Sequence, residues 1–199
     1  MTAEIINYIN TRLRGSINYL MGNTYGVARK GQVKDGNKVK NFPVTKNYTQ
    51  KNCNTDCEIV LVPKRENKSL LFWMESAMRK QDEMTEGIDK MNANAKMYVW
   101  VNTEKLSTQE ITADMIAADI MRNVPRYMKQ AGRAFGIHVL RQTYQFNESD
   151  FKQFDWDRTF IKCPYVAFTI DFEFEFYMRS MCFDDLPLQN LNQCNQPES

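Results

Sequence analysis

Three small groups of residues have types and spacings that could do chemistry. Cys53 and Cys57 lie three residues apart, the spacing of half a zinc site. Zinc takes four ligands, and the single histidine, His138, is far along the chain, so two free thiols flanking a strand is the simpler account. Asp56, with Glu66 and Lys68 behind it, echoes the carboxylate-plus-lysine arrangement by which magnesium-dependent nucleases hold their metal and stabilise phosphate charge. Here it falls in "PKRENKS", which reads as a solvated turn. Asp171, Glu173 and Glu175 alternate along one stretch, "VAFTIDFEFEFYM", which puts three carboxylates on one strand face about 7 Å apart. Such a row suits a metal, a solvated face, or an acidic strip lining a channel whose charge repels passing phosphates.

Nucleophilic catalysis would have to use His138, the only imidazole. Its setting, "FGIHVL", predicts a core or half-buried histidine. No serine sits in G-x-S-x-G, and the 8 glycines form no phosphate loop. The expectation is a protein with no catalytic residues, no metal and no cofactor.

Charge clusters in one other place. Around Asp35-Gly36 stand Arg29, Lys30, Lys34, Lys38, Lys40 and Lys46. Such a basic hairpin has three uses. It can bind DNA without regard to sequence and with strong salt dependence, dock an acidic neighbour, or keep an exposed hairpin from pairing edge to edge.

The elements that must position these groups follow from periodicity. Ile5, Ile6, Ile9, Leu13, Ile17 and Leu20 recur at three and four, predicting a helix over Ala3 to Met21, with Thr2 as N-cap and Gly22-Asn23 as stop. Asp-Gly supplies the positive φ of a tight turn, so residues 24–48 read as a β-hairpin whose second strand Pro43 confines to an edge or ends. "CEIVLVP" and "KMYVWVN" read as strands. Residues 70–90 fit helix or strand equally. Ser107 and Glu110 have capping-box spacing and open a helix bearing Ile111, Met115, Ile116, Ile120 and Val124, which Pro125 ends; Tyr127 to Phe135 reads as a second helical piece. "FGIHVLRQTYQF" is a strand, "NESDFKQFDWDRTF" an acidic-aromatic loop, and Val166 to Met178 a long two-faced strand. The sum is a single α+β domain, residues 1–182, mainly antiparallel sheet packed by an N-terminal and a central helix. An extended polar arm, 183–199, follows, with Leu186, Leu188 and Leu191 as anchors.

Composition sets the outer bounds. At 199 residues, 43% hydrophobic and 25% charged, the chain suffices for one folded domain. A net charge of +2 predicts neither a strong nucleic-acid binder nor a membrane-surface protein. Glu4 interrupts any apolar leader, and no apolar run approaches the roughly 20 residues of a membrane span. Five cysteines, an odd number, predict free thiols in a reducing cytoplasm.

The order of elements resembles the tail-terminator and head–tail joining (neck) proteins of tailed bacteriophages, including short-tailed crAss-like phages. The resemblance is carried by the N-terminal amphipathic helix, the charged hairpin, "KMYVWVN", the helix beginning "STQEITADMIAADIM" and the closing strand "YVAFTIDFEFEFYM". It covers roughly residues 3 to 180 as an ordered pattern without a diagnostic motif. Lys51 to Ala95 is longer than the pattern, and the polar arm departs from it. The resemblance implies a virion subunit, made in the host cytoplasm, that closes into a ring with copies of itself. It would contact adjacent neck, portal-adaptor or tail proteins and let DNA pass without specific binding. The competing readings are a magnesium nuclease using Asp56, Glu66 and Lys68, and a non-catalytic DNA-binding module using the hairpin.

Overall fold

A computed structural model describes residues 2–17, 23–46, 58–85, 88–106, 111–128 and 137–179. Its first element, α1 (Thr2–Ser16), turns Ile5, Ile6, Ile9 and Leu13 to one face, and all four are buried. Ile17 continues that stripe past the helix end, its amide still donating to Leu13 O at 2.9 Å. Leu20 and the expected stop at Gly22 lie outside the described residues.

The stripe packs on a six-stranded sheet ordered β1-β5-β6-β9-β8-β7. Its strands are β1 (Asn23–Val27), β5 (Ser69–Thr85), β6 (Ile88–Asn102), β7 (Tyr127–Met128), β8 (Ile137–Gln145) and β9 (Tyr165–Arg179). Only β1 runs parallel to its neighbour β5; the other pairs are antiparallel. A smaller sheet orders β2 (Arg29–Asp35), β3 (Lys38–Lys46) and β4 (Glu58–Val60). The second helix is α2 (Ala113–Asn123). The α+β class and mainly antiparallel sheet are as the sequence predicts.

The large sheet has a core on each face. On one, α1 and α2 cover Trp73, Met97, Val99, Phe168, Ile170, Phe172, Phe174 and Phe176, so the even positions of β9 from Val166 to Phe176 point inward. On the other, residues 148–161 lay Phe151, Phe154 and Trp156 over Phe72, Tyr98 and Trp100. Phe72 stacks on Tyr98 with ring centroids 4.9 Å apart, and Phe154 and Trp156 meet Phe72 edge-on. The "acidic-aromatic loop" is thus a lid of short 3₁₀ turns that turns Phe151, Phe154 and Trp156 in and leaves Glu148, Asp155 and Asp157 exposed, while Asp150 is half-buried.

Burial on both faces settles the ambiguity of residues 70–90. They are strand on either side of 86–87, which fall outside the described residues. Leu70 and Phe72 enter the lid core while Leu71 and Trp73 enter the helix core, so apolar residues run consecutively and blur the two-residue period. A register shift between Glu75 and Ala77 then exchanges the faces.

Other expectations need correcting. The hairpin turn is Gly36-Asn37, one residue beyond Asp35-Gly36: Asp35 pairs with Lys38, and Gly36 takes φ +60°. Pro43 neither ends β3 nor makes it an edge, because β3 is the middle strand. What Pro43 stops is the β3–β4 ladder. Its carbonyl accepts from Leu61 N at 2.8 Å, but it has no N–H to return, and Leu61 O accepts the indole N–H of Trp156 at 3.1 Å instead. At α2 the N-cap is Thr112, whose Oγ1 accepts from Met115 N at 3.3 Å; Ser107 and Glu110 lie outside the described residues. Ile116, Ala117 and Ile120 are buried, whereas Met115 faces out. The helix ends before Pro125 as expected, but Tyr127–Met128 is strand rather than helix, and residues 129–136 lie outside the described set.

Polar ties lock the layers. Asn10, buried on α1, donates from Nδ2 to Tyr25 O and accepts from Trp73 Nε1, both at 2.9 Å. Asp155 on the lid accepts from Asn41 N at 2.6 Å and donates its own amide to Asn41 O at 2.8 Å, pinning the small sheet beside the large one.

Candidate functional site

Among the described residues, the chemical groups of the sequence do not converge. Cys53, Cys57 and Asp56 lie outside the described residues. Glu66 and Lys68 are exposed on the turn leading into β5. His138 is exposed rather than half-buried, because it sits on the lightly covered strand β8 with its ring against Tyr127, centroids 4.8 Å apart. Among the described residues no three of His, Cys, Asp and Glu gather as metal ligands.

The acidic strip is a mixed row of charge. β9 puts Asp171, Glu173 and Glu175 on its lid-side face, as the alternation requires, but β6 sets lysines beside them. Lys90 Nζ is 2.8 Å from Glu175 Oε2, and Lys96 Nζ is 3.6 Å from Asp171 Oδ1. Lys96 also reaches Asp150 Oδ2 at 3.0 Å, and that oxygen accepts from Thr169 Oγ1 at 2.8 Å. Burial alone would lower the Lys96 pKa; the hydrogen bond to Asp150 and the field of Asp171 outweigh it and leave the ammonium above its ordinary value of 10.5. Glu173 lies opposite Asn94 and Arg141. A channel lined by this face would meet both signs of charge.

The basic hairpin is divided in the same way. Residues opposite one another in an antiparallel pair share a face. The register therefore sends positions 29, 38, 40 and 46 to one side and Lys30 and Lys34 to the other. Arg29 is engaged, its Nε and Nη2 reaching Glu58 Oε1 at 2.9 and 2.5 Å. Leu186, Leu188 and Leu191 lie outside the described residues.

Two features that no short stretch of sequence announces are more pronounced. Among the described residues, the large sheet is open on both sides. β1 covers β5 only as far as Trp73, and β7 pairs only with Ile137 and His138 of β8. Among the described residues, Met74–Thr85 at one edge and Leu140–Gln145 at the other therefore have a strand on one side only. Each carries an exposed apolar side chain, Met78 at 56% and Leu140 at 49%. The second feature is a groove of about 560 Å³ between the end of α2 and β8, lined by Arg122, Arg126 and Arg141 among others. Tyr144, further along β8, ties that strand to the start of α2. Burial first, then its hydrogen bond to Asp114, pushes the phenol up to about 12.

Among the described residues, no helix is long and apolar enough to cross a membrane. No protein-family model matches this sequence, and no curated protein matches it.

Proposed function

We propose that this chain is a structural, non-enzymatic subunit of a ring in the neck or tail of a tailed phage, joining head to tail around the DNA channel. The observation that carries the reading is the pair of edges left open among the described residues, β5 beyond Trp73 and β8 beyond Val139, on opposite sides of one sheet. An unpaired edge is a template for another strand, and proteins that remain alone blunt or cover it. Two different edges meeting head to tail make a heterologous contact, which closes into a ring when the rotation permits. Strand directions agree: β5 and β8 are antiparallel across the sheet, so β5 of one copy would extend β8 of the next in the antiparallel sense. On this reading the hairpin and the C-terminal arm reach adjacent neck, portal-adaptor or tail proteins, DNA passes without specific contacts, and the protein resides in the virion.

The test is the mass in solution by light scattering after size exclusion, at two concentrations, alone and with phage neck partners. The wild type is expected as a closed oligomer, or as a monomer that assembles on its partner. Met78→Lys and Leu140→Lys, each placing charge on an open edge, should shift it to monomer with unchanged circular dichroism. A monomer that ignores every partner yet cuts DNA with magnesium would sink the reading and promote the nuclease.

A further inference from the structure

The small sheet also has an open edge, and it is a basic one. β2 pairs with β3 in consecutive steps from Arg29↔Val44 to Asp35↔Lys38, without a register break, and among the described residues no strand lies on its other side. Which backbone groups face that side follows from β3. Asn41 donates its amide to Asp155 Oδ2, and its carbonyl accepts the Asp155 amide. Both groups of Asn41 therefore point away from β2, which makes Asn41 and Gln32 a non-hydrogen-bonded pair. The Pro43 carbonyl agrees, since it accepts from Leu61 on the β4 side. By the alternation of an antiparallel ladder, Lys30, Gln32 and Lys34 turn their own N–H and C=O groups outward, away from β3.

The side chains of the same three residues share one face of the hairpin and are exposed. Lys30 and Lys34 stand roughly 13 Å apart along it, and neither forms an ion pair among the described residues. The edge thus offers main-chain donors and acceptors together with two ammonium groups in step with them. A second copy of β2 is a poor guest, because pairing antiparallel about Gln32 would set each Lys30 against a Lys34, and like charges directly opposite repel. The phosphates of a nucleic acid would suit the ammoniums and the N–H groups but have no donor for the three carbonyls. An extended peptide suits all of them, and two acids four residues apart along it would face both lysines. We propose that β2 takes an acidic, extended segment of a partner protein as an added strand, with Lys30 and Lys34 facing its carboxylates. The proposal holds whether or not the chain closes into a ring. It also sorts the hairpin's bases, because Lys38 and Lys40 lie on the other face and take no direct part.

The probe is a fluorescent peptide, TEVQVET, titrated into the full chain and followed by anisotropy. Binding should weaken at least tenfold for Lys30→Gln with Lys34→Gln, and as much for the uncharged peptide TQVQVQT. Lys38→Gln with Lys40→Gln should change it less than threefold. A TEVQVET peptide N-methylated at both Glu and at Gln keeps its charge but cannot pair with β2, and it too should bind at least tenfold more weakly. Amide exchange by NMR reads the edge directly. The peptide should slow exchange at Lys30, Gln32 and Lys34 and leave Gly31 and Val33, already bonded to β3, as they were. No binding at millimolar peptide, or binding indifferent to the two lysines, would overturn the proposal. Equal binding of the methylated peptide would overturn strand addition. A DNA oligonucleotide that binds where the peptide does not, with the same dependence on Lys30 and Lys34, would overturn the peptide partner in favour of nucleic acid.

Discussion

Lys96 and Asp150 meet 3.0 Å apart at the boundary between the open polar face of the sheet and the aromatic lid. Asp150 is the last residue of the first lid turn, and its Oδ2 also accepts from Thr169 in the middle of β9. One carboxylate therefore holds the lid to both central strands. Replacing it with Ala leaves the Lys96 ammonium and the buried Thr169 hydroxyl without this partner. Asp150→Ala is expected to lower stability by about 1–3 kcal/mol, read as a shift in urea midpoint at constant slope.

Asn10 plays the matching part under α1. Asn10→Leu removes both its bonds and leaves Trp73 Nε1 and the Tyr25 carbonyl without it. The expected loss is about 2–6 kcal/mol, from two such orphaned groups, with a change in Trp73 emission. A loss under 0.5 kcal/mol would mean that water replaces the side chain.

Trp156 is predicted to matter for its N–H as well as its ring. Trp156→Phe keeps much of the aromatic packing but leaves the Leu61 carbonyl without the donor that Pro43 cannot supply. The cost should be about 1–3 kcal/mol, measured by denaturation. Pro43→Ala in the same background should recover part of it by returning the missing N–H.

Gly31 is required by proximity. A Cβ there would stand 2.6 Å from Val44 Cγ2 and 2.8 Å from Cγ1, and Val44 is buried. Gly31→Ala is expected to destabilise by about 1–3 kcal/mol, the usual range for overpacking. Val44→Ala should relieve the clash, so the double variant should be less destabilised than the sum of the two singles.

Tyr144 gives a pH signature. Its folded pKa is raised to about 12 from 10, so its contribution is fully present below pH 10 and is lost as pH rises through about 12, because the unfolded state ionises first. The phenolate difference spectrum between wild type and Tyr144→Phe should titrate near 12. A midpoint near 10 would show that Asp114 and burial do not hold the phenol.

The legible parts of this fold were those where one face is buried and the other wet. α1 shows its stripe at Ile5, Ile9 and Leu13 because water covers its far side, and β9 alternates from Asp171 to Tyr177 because its lid-side face there is half-exposed. β5 was illegible because Leu70, Leu71, Phe72 and Trp73 are all buried, half under helices and half under the lid. The lid core was hidden because Phe151, Phe154 and Trp156 sit among acids at no regular period. Of the candidate surfaces, the acidic strip was readable as a row on β9, but not the lysines that β6 sets beside it. The groove beside β8 was not readable at all: Arg122, Arg126 and Arg141 come from a helix end, a bend and a strand that only the tertiary fold unites.

The β6–β9 ladder runs for fifteen consecutive pairs, from Ile88↔Arg179 to Asn102↔Tyr165, without a register break, whereas β5–β6 shifts three times and β8–β9 once. Mechanically, that ladder is the molecule's tension member. A pull between residues 88 and 165, at opposite ends of the paired strands, loads every rung at once in shear. A pull between 88 and 179 peels the rungs singly. Force spectroscopy through these attachment points should find the first direction markedly stronger, so that load carried along the strands spares the ladder and load that prises its ends apart does not.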